Sequence, residues 1–242
     1  MQQRAGIYTI NYESPPWLVE HLGEDWRFEN TLLVDLPPAA RILYNDMEQK
    51  MFAQIGEHDV EAFNSAAKTN KCLQLANGAA YVDDAGTWQE VHQAKLDALE
   101  DIIEEAAGAP VLVSYQFKSD LARILERFKS ARQLDKKPQT LDDWNAGKIP
   151  IRVANPASVG HGLSLQYSGN ILACFSSGWN LEEDMQMLER IGPTRQFQSG
   201  LNREVYVHRI VARDTVDELV AVRRQTKADV QQILLDYMKR NL

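Results

Sequence analysis

The sequence predicts an α/β fold in which a parallel sheet carries helices on both faces and is preceded by a helical region. In the second half of the chain, short apolar runs alternate with amphipathic helical stretches, which is typical of parallel sheets. In the first half, apolar residues recur mainly at helical spacing. Ligands of such folds bind at the carboxyl ends of strands, where residues 158–162 and 176–180 fall.

The first half is expected to hold two apolar runs followed by helices. Residues 7–12 mix β-branched and aromatic side chains and predict a strand, and residues 31–36 form the second run. Two prolines open a short helix predicted at 14–23. The glycine-containing segment 78–91 is expected to be irregular or a short hairpin. Longer helices are predicted at 39–55, 60–77 and 92–108.

The second half is expected to alternate strand and helix. The predicted strands are residues 109–115, 149–156, 170–177 and 204–212. The predicted helices are residues 117–130, 180–191 and 215–240, the last as one long terminal helix. Asn180 has a residue type that favours the N-cap position, so it is expected to start the middle helix.

Composition narrows the function classes. The chain has 242 residues and no apolar run near the roughly 18 that a membrane span requires, so no membrane partner is expected. No leader pattern precedes the first strand, which favours a cytoplasmic protein. Cys72 and Cys174 lack metal-ligand spacing and are expected to be buried thiols, and no metal site is predicted. Since the formal net charge is −8, any nucleic-acid role must rest on a local patch.

Two glycines flank His161 after a predicted strand. Gly160 and Gly162 allow a tight turn that exposes amide groups to an anion. The alternative is a tight turn with no ligand, in which His161 faces solvent.

A second candidate group lies on the helix predicted at 180–191. Gln186 and Arg190 are four residues apart and therefore share a helix face, where an arginine can stabilise charge on a phosphoryl group. The alternative is a solvated surface on which Arg190 pairs with a neighbouring glutamate. Trp179 just before this helix is either a base-stacking platform or a core residue.

Two motifs that nucleotide-hydrolysing enzymes use to bind phosphate and magnesium are missing from the sequence. The chain has no GxxxxGK[ST] loop to cradle a triphosphate, and no predicted strand ends in an Asp-Glu pair that would hold magnesium. A free-standing ATPase is not expected without either.

In order, the segments resemble the second motor lobe of Swi/Snf-like superfamily-two helicases of the DEAD/DEAH type, in particular phage and prophage members. Ser164 stands where the family usually has Asn, and Pro193 stands where it has a second arginine. Arg195 is the substitute, and Pro193 after Gly192 predicts that it lies in a loop. The matching segments are DLPPAARILYNDMEQKMF (35–52), AKLDALEDIIEEA (94–106), PVLVSYQFKSDLARIL (110–125), ANPASVGHGLSLQ (154–166), GWN (178–180), QMLERIGPTRQ (186–196) and RDTVDELVAVRRQTK (213–227).

The resemblance implies a RecA-like lobe and assigns roles to residues. The catalytic candidates are Gln186, Arg190 and Arg195. The nucleotide-binding candidates are Gly160, Gly162 and Arg190. The candidates for contact with nucleic acid are Ser114, Tyr115, Asn155, Ser158, His161, Trp179 and Asn180.

The beginning of the chain resembles a different part of the family. Residues 10–29 are similar to the middle of the first motor lobe, just ahead of its DEAH-type motif, and the chain then passes directly into the second lobe. Residues 1–34 are therefore expected to be a remnant of the first lobe. Residues 35–242 are expected to be the helicase C-terminal lobe, with a helical lead-in at 35–108 and an α/β core at 109–242.

The function that the resemblance implies is the second motor lobe of a DNA-dependent ATPase, either a helicase or a translocase. ATP and Mg²⁺ are cofactors of the complete family, and neither is expected to bind this chain tightly by itself. The expected partners are DNA and a separate first lobe or another protein. The alternatives are a non-catalytic protein-interaction module and a defective remnant, so whether the chain is an enzyme stays open.

Overall fold

The structure is a computed structural model that describes residues 7–11, 27–56, 62–83, 85–135, 137–159, 163–227 and 230–241. The helix predicted at 14–23 lies outside these residues. Within them, no helix is both long and apolar enough to cross a bilayer. The chain divides into two compact units, one formed by Met1–Leu33 with Leu96–Ile210 and the other by Val34–Lys95 with Val211–Leu242. The predicted division at residue 35 into a first-lobe remnant and a second lobe stays a prediction.

The described elements follow the predicted alternation. The strands are β1 (Ile7–Asn11), β2 (Arg27–Val34), β3 (Ala79–Tyr81), β4 (Trp88–Glu90), β5 (Val111–Ser114), β6 (Ala131–Gln133), β7 (Ile151–Ala154), β8 (Ile171–Cys174) and β9 (Val205–Ala212). The helices are α1 (Pro38–Gly56), α2 (Ala62–Asn77), α3 (Ala94–Glu105), α4 (Lys118–Arg127), α5 (Pro138–Asn145), α6 (Leu181–Glu189), α7 (Pro193–Gln198), α8 (Val216–Thr226) and α9 (Val230–Asn241).

The main sheet has the strand order β1-β2-β9-β8-β5-β7-β6. The neighbours from β9 to β6 pair in parallel, while β1 and β2 pair antiparallel at one edge. Nearly every residue of β5, β7 and β8 is buried, as expected for strands covered on both faces. The predicted fold class, a RecA-like parallel sheet with helices, is confirmed.

Two details differ from the sequence prediction, and one open alternative is decided. The terminal helix is two helices, because Lys227 adopts a left-handed conformation with φ of 55° and ends α8. Strand β6 and helix α5 were not predicted, since β6 is only three residues long and two of them are exposed. The segment at 78–91 forms the hairpin of β3 and β4, which was one of its two expected structures.

Trp144 on α5 is a fully buried centre of the core beneath the sheet. Its indole Nε1–H donates to the carbonyl oxygen of Leu165 at 2.9 Å. A Cβ atom at Gly169 would lie 2.6 Å from the Trp144 ring, so this glycine is required for the close approach of the backbone. The tryptophan therefore fixes the segment between β7 and β8. Leu112, Leu172 and Val207 belong to the same buried apolar cluster as Trp144.

The second unit contains α1, α2, α8 and α9. Its polar centre is a buried ion pair between the Lys95 ammonium and the Asp217 carboxylate at 2.5 Å. Lys95 Nζ also donates to Asn77 Oδ1, and Asp217 accepts the backbone N–H of Ala212. Because each charge has further hydrogen-bond partners, the pair is compatible with burial.

Lys95→Met is expected to lower the free energy of unfolding by about 3–5 kcal/mol, because it leaves the Asp217 carboxylate buried without its cation. Urea unfolding followed by circular dichroism measures the change. The matched control is Lys71→Met at an exposed position, which should change stability by no more than about 0.5 kcal/mol. Equal losses in the two variants would contradict the assigned role of the buried pair.

Candidate nucleic-acid and nucleotide interface

The strands β5, β7 and β8 end at the same level. Ser114, the last residue of β5, is the register partner of both Ala154 on β7 and Cys174 on β8. The loops that follow these strands therefore emerge side by side at the carboxyl edge of the sheet, where ligands of open α/β sheets bind. We name these three loops, residues 115–117, 155–159 and 175–180, the carboxyl edge.

Asn155 joins two loops of the carboxyl edge. Its amide Nδ2 donates to the carbonyl oxygens of Tyr115 and Gln116 at 3.1 and 3.2 Å. Its Oδ1 accepts the N–H of Ala157 and so caps the short 3₁₀ helix Pro156–Ser158. Both ends of the carboxamide are thus engaged within the protein.

Ser158 is an exposed candidate for contact with a phosphate. Its hydroxyl donates to the carbonyl oxygen of Asn155 at 2.7 Å, which leaves its lone pairs and the surrounding turn facing solvent. Helix α6 lies beside this 3₁₀ turn. Gly160, His161 and Gly162, the next candidates along the chain, lie outside the described residues.

Ser176 joins the remaining loop to the others. Its hydroxyl accepts the N–H of Gln116 at 2.9 Å and donates to Oδ2 of Asp120 at 2.7 Å. Asp120 is fully buried and also accepts the N–H of Phe117. Sequence reasoning missed these residues, because an unremarkable Ser and an Asp 56 positions apart give no local signal of their contact.

Ser114, Tyr115 and Trp179 are buried, although all three were predicted to contact nucleic acid. The Tyr115 hydroxyl accepts from Gln133 Nε2 at 3.3 Å, and the Ser114 hydroxyl has no hydrogen-bond partner in the described structure. Burial of Trp179 agrees with the alternative of a core residue. The nucleic-acid role of these three residues stays a prediction.

Asn180 is the N-cap of α6, as predicted, and its Oδ1 accepts the N–H groups of Glu182 and Glu183. The first turn of α6 also contains Asp184. These carboxylates complement the helix dipole and repel a phosphate group, so this helix start is a poor phosphate site. Gln186 lies further along α6, where its amide donates to Glu182 at 3.1 Å.

Arg190 ends α6 as its C-cap and is buried, with 5% of its surface exposed. Its Nε has no hydrogen-bond partner, and no ion pair to the described residues is present. Burial, followed by the charge of Arg195, lowers the pKa of the Arg190 guanidinium. Burial contradicts the alternative of a solvated surface, although the charge of the neighbouring Glu189 still acts on the guanidinium and opposes this lowering of its pKa.

Arg195 lies on the short helix α7 and is half-buried, so its predicted position in a loop is wrong. The reason is that Pro193 occupies the first position of α7, where proline has a suitable φ angle and needs no N–H. The proline therefore starts a new helix as well as ending the previous one. Arg190 and Arg195 are close enough for their charges to interact.

Gln196 holds this region together. The side chain is fully buried, and its Nε2 donates to the carbonyl oxygens of Gly169 and Ile191, both at 3.0 Å. Its Oε1 accepts from Arg203 Nε at 3.3 Å, and Arg203 also donates to the carbonyl oxygen of Gln166. Gln196 therefore fixes the turn between the two arginines against residues 166–169.

Together these features describe two polar regions of the lobe. One is the carboxyl edge of an open parallel sheet with its hydrogen-bonded loops, where ligands of such sheets bind. The other is the end of α6, where Arg190 is buried without an ion pair to the described residues. Within the described residues, no cluster of three or more His, Cys, Asp or Glu is placed to hold a metal ion.

Comparisons with known proteins identify the lobe more closely. No protein-family model matches the chain. The chain is 53% identical over 232 residues to protein p41 of Acyrthosiphon pisum secondary endosymbiont phage 1, a match that covers 96% of the chain and 50% of p41. It is 24% identical over 261 residues to the ISWI chromatin-remodeling complex ATPase ISW1 of Saccharomyces cerevisiae, covering 94% of the chain and 22% of that protein. The chain thus spans about half the length of the phage relative.

Solved structures show the same fold. The Sulfolobus solfataricus SWI2/SNF2 ATPase core in complex with dsDNA matches with a TM-score of 0.59 and 21% identity over 81% of this chain and 43% of that one. The C-terminal part of the Fun30 ATPase domain matches with a TM-score of 0.60 and 15% identity over 88% and 97% of the two chains. The chain has the fold of SWI2/SNF2 ATPase C-terminal domains. The resemblance to the second motor lobe of phage-type Swi/Snf-like helicases is confirmed.

Gln196→Ala is expected to lower the free energy of unfolding by about 1–3 kcal/mol, because it removes the buried donor that Gln196 supplies to the carbonyl oxygens of Gly169 and Ile191. Thermal or urea unfolding measures the loss. Gln198→Ala, at the exposed end of the same helix, is the matched control and should change stability by less than about 0.5 kcal/mol. If Gln196→Ala is as stable as this control, the assigned clamp is wrong.

Proposed function

We propose that this chain is the second motor lobe of a DNA-dependent ATPase, a helicase or translocase, and that it hydrolyses ATP only beside a first lobe. The observation that carries the proposal is the buried guanidinium of Arg190, which forms no ion pair with the described residues and whose Nε has no hydrogen-bond partner among them. A buried cation without an anion costs free energy, and a phosphate oxygen that enters the site offsets this cost. Arg195 adds a second positive charge to the same site.

The residues present fit a phosphate group and not a magnesium ion. Arg190 and Arg195 supply positive charge, and Gln186 contributes a carboxamide on the preceding helix. The described residues offer no carboxylate cluster for Mg²⁺, which prefers oxygen ligands. We therefore assign the phosphate-binding loop and the metal ligands to a first lobe, and the arginines to stabilisation of charge on the transferred phosphoryl group.

The carboxyl edge is the proposed DNA-binding surface. In its support, the Sulfolobus solfataricus neighbour was solved in complex with dsDNA. Ser158 is exposed on this edge, and Asn155 orders the loop that presents it. Because the net charge of the chain is −8, we propose that contact with DNA is restricted to this patch. We also propose that the protein is cytoplasmic.

The purified chain alone is expected not to hydrolyse ATP. When the part of protein p41 outside the matched region is added with DNA and Mg-ATP, we expect DNA-stimulated phosphate release. Arg190→Ala should reduce this rate by about 10³-fold, since arginines that stabilise phosphoryl transfer contribute effects of this size. A coupled phosphate-release assay measures each rate.

The matched control is Arg132→Ala, which removes an exposed arginine that bonds only to backbone carbonyls and should leave the rate unchanged. If the chain alone hydrolyses ATP and Arg190→Ala abolishes this activity, the requirement for a first lobe is contradicted. If the mixture hydrolyses ATP and Arg190→Ala leaves the rate unchanged, the assigned role of Arg190 is contradicted.

A second candidate function is a non-catalytic interaction module. Two adjacent apolar side chains of α1, Ile42 and Leu43, are 67% and 53% exposed, and exposed apolar neighbours often mark protein contacts. Under this alternative the wild-type chain self-associates, and the double variant Ile42→Lys/Leu43→Lys is monomeric in sedimentation velocity. A wild-type chain that sediments as a compact monomer at every concentration contradicts self-association through this face.

A further inference from the structure

Arg209 is a buried cation on β9 that joins three other elements of the same compact unit. Its Nε donates to Oε2 of Glu29 on β2 at 3.2 Å. Its Nη1 lies 3.2 Å from Oδ2 of Asp184 on α6 and donates to Sγ of Cys174, its register partner on β8, at 3.3 Å. The guanidinium therefore ties both strands that flank β9 to one helix, as its rigid fork of donors allows.

Asp184 lies on the buried side of α6. Met187 and Leu188, three and four residues further along, belong to the buried apolar cluster, so all three side chains share one helix face. The apolar contacts of this face have no preferred direction, whereas the ion pair joins two particular groups. Since the Asp184 side chain is only 14% exposed, the pair is also shielded from water. The ion pair therefore sets the rotation and the axial position of α6 on the sheet.

Arg190 depends on this placement because it ends the same helix. As the C-cap of α6, its backbone N–H donates to the carbonyl oxygen of Met187 at 3.1 Å. A rotation or shift of α6 would therefore also move the Arg190 guanidinium. A misplacement of about 1 Å in a reacting geometry can lower a rate by about 10²-fold.

Glu29 holds the other side of the Arg209 guanidinium. Its carboxylate is 15% exposed and also pairs with Arg27 at 2.7 Å. The neighbouring Phe28 stacks on Tyr206 of β9 with the ring centroids 5.5 Å apart. An ion pair and an aromatic stack thus both fix β2 to β9. Because carboxylates approach the guanidinium from a strand and from a helix, its charge is compatible with burial.

We infer that Arg209 is a positioning residue for phosphoryl transfer, which sets Arg190 in place through Asp184 and is itself held by Glu29. The inference rests on the proposed function and extends it to a residue on β9. The charge of Arg209 is used within the fold, whereas Arg190 forms no ion pair with the described residues. Since the proposed role of Arg190 is in the transition state, a loss of position should lower kcat more than it changes KM for ATP.

The test uses the full chain with the part of protein p41 outside the matched region, DNA and Mg-ATP. Asp184→Asn removes the charge at nearly constant shape and is expected to lower kcat about tenfold, with KM for ATP changed by less than about twofold. Arg209→Lys should have a similar effect, because an ammonium lacks the fork that holds two carboxylates. Glu183→Gln, which removes another carboxylate from the first turn of α6, is the matched control and should keep the wild-type rate.

A double variant separates positioning from general damage. In the Arg190→Ala background, Asp184→Asn should cause no further loss, because the residue through which it acts has been removed. Radiolabelled ATP makes the low rate of this background measurable, and each rate is taken well below the midpoint of thermal unfolding of that variant. If Asp184→Asn does not fold, Arg209→Lys takes its place. The same fold loss in both backgrounds would overturn the inference.

The remaining outcomes separate this inference from the proposal on which it rests. If the wild-type mixture releases no phosphate, the proposed function is overturned and the role of Arg209 with it. If Arg190→Ala lowers the rate while Asp184→Asn and Arg209→Lys keep the wild-type kcat, only the role of Arg209 is overturned. A raised KM for ATP with an unchanged kcat in these two variants would also overturn it, since the ion pair would then support binding instead of position.

Discussion

The level ends of β5, β7 and β8 are the constraint on which the rest of the site depends. Because these parallel strands finish in register, their loops leave the sheet together and their backbone polar groups crowd one edge. Buried backbone groups must find partners. Asn155 and Ser176 supply them across the loops, so the same hydrogen bonds that satisfy the backbone also shape the surface presented to a ligand.

The polar residues of the site fall into two groups as a result. Asn155, Ser176 and Asn180 direct their hydrogen bonds inward and build the edge. Gln116 and Arg190 keep polar atoms without partners in the described structure. Burial of the Arg190 guanidinium without an ion pair among the described residues costs free energy, and an anion that binds only the folded state would offset part of this cost. The proposed role of the lobe as one side of a shared nucleotide site depends on this cost.

Much of the fold could be predicted because its elements carry strong local patterns. The strands β5, β7, β8 and β9 are dense apolar runs, and the fully buried sheet interior requires such runs. Elements with weak local patterns were not predicted. Strand β6 exposes Arg132 and Gln133 and so lacks an apolar run. The left-handed conformation of Lys227 divides the terminal helix, whose residue periodicity predicts one continuous helix. For the site, the cap at Asn180 was predictable from residue type, whereas the α7 helix that carries Arg195 was not, since Pro193 suits either a stop or a start.

By itself the sequence determined the α/β class, the order of most of its elements and the likeness to a Swi/Snf-type second lobe, and it predicted Arg190 as a site residue. Each of these depends on local residue pattern or on the order of motifs along the chain. Only the tertiary structure decided that Arg190 is buried without an ion pair to the described residues, that Gln196 clamps the turn beside it, and that Gln116 rests on Gly178. These contacts join residues that are distant in the chain or that face one another only after the strands align, so no local pattern encodes them.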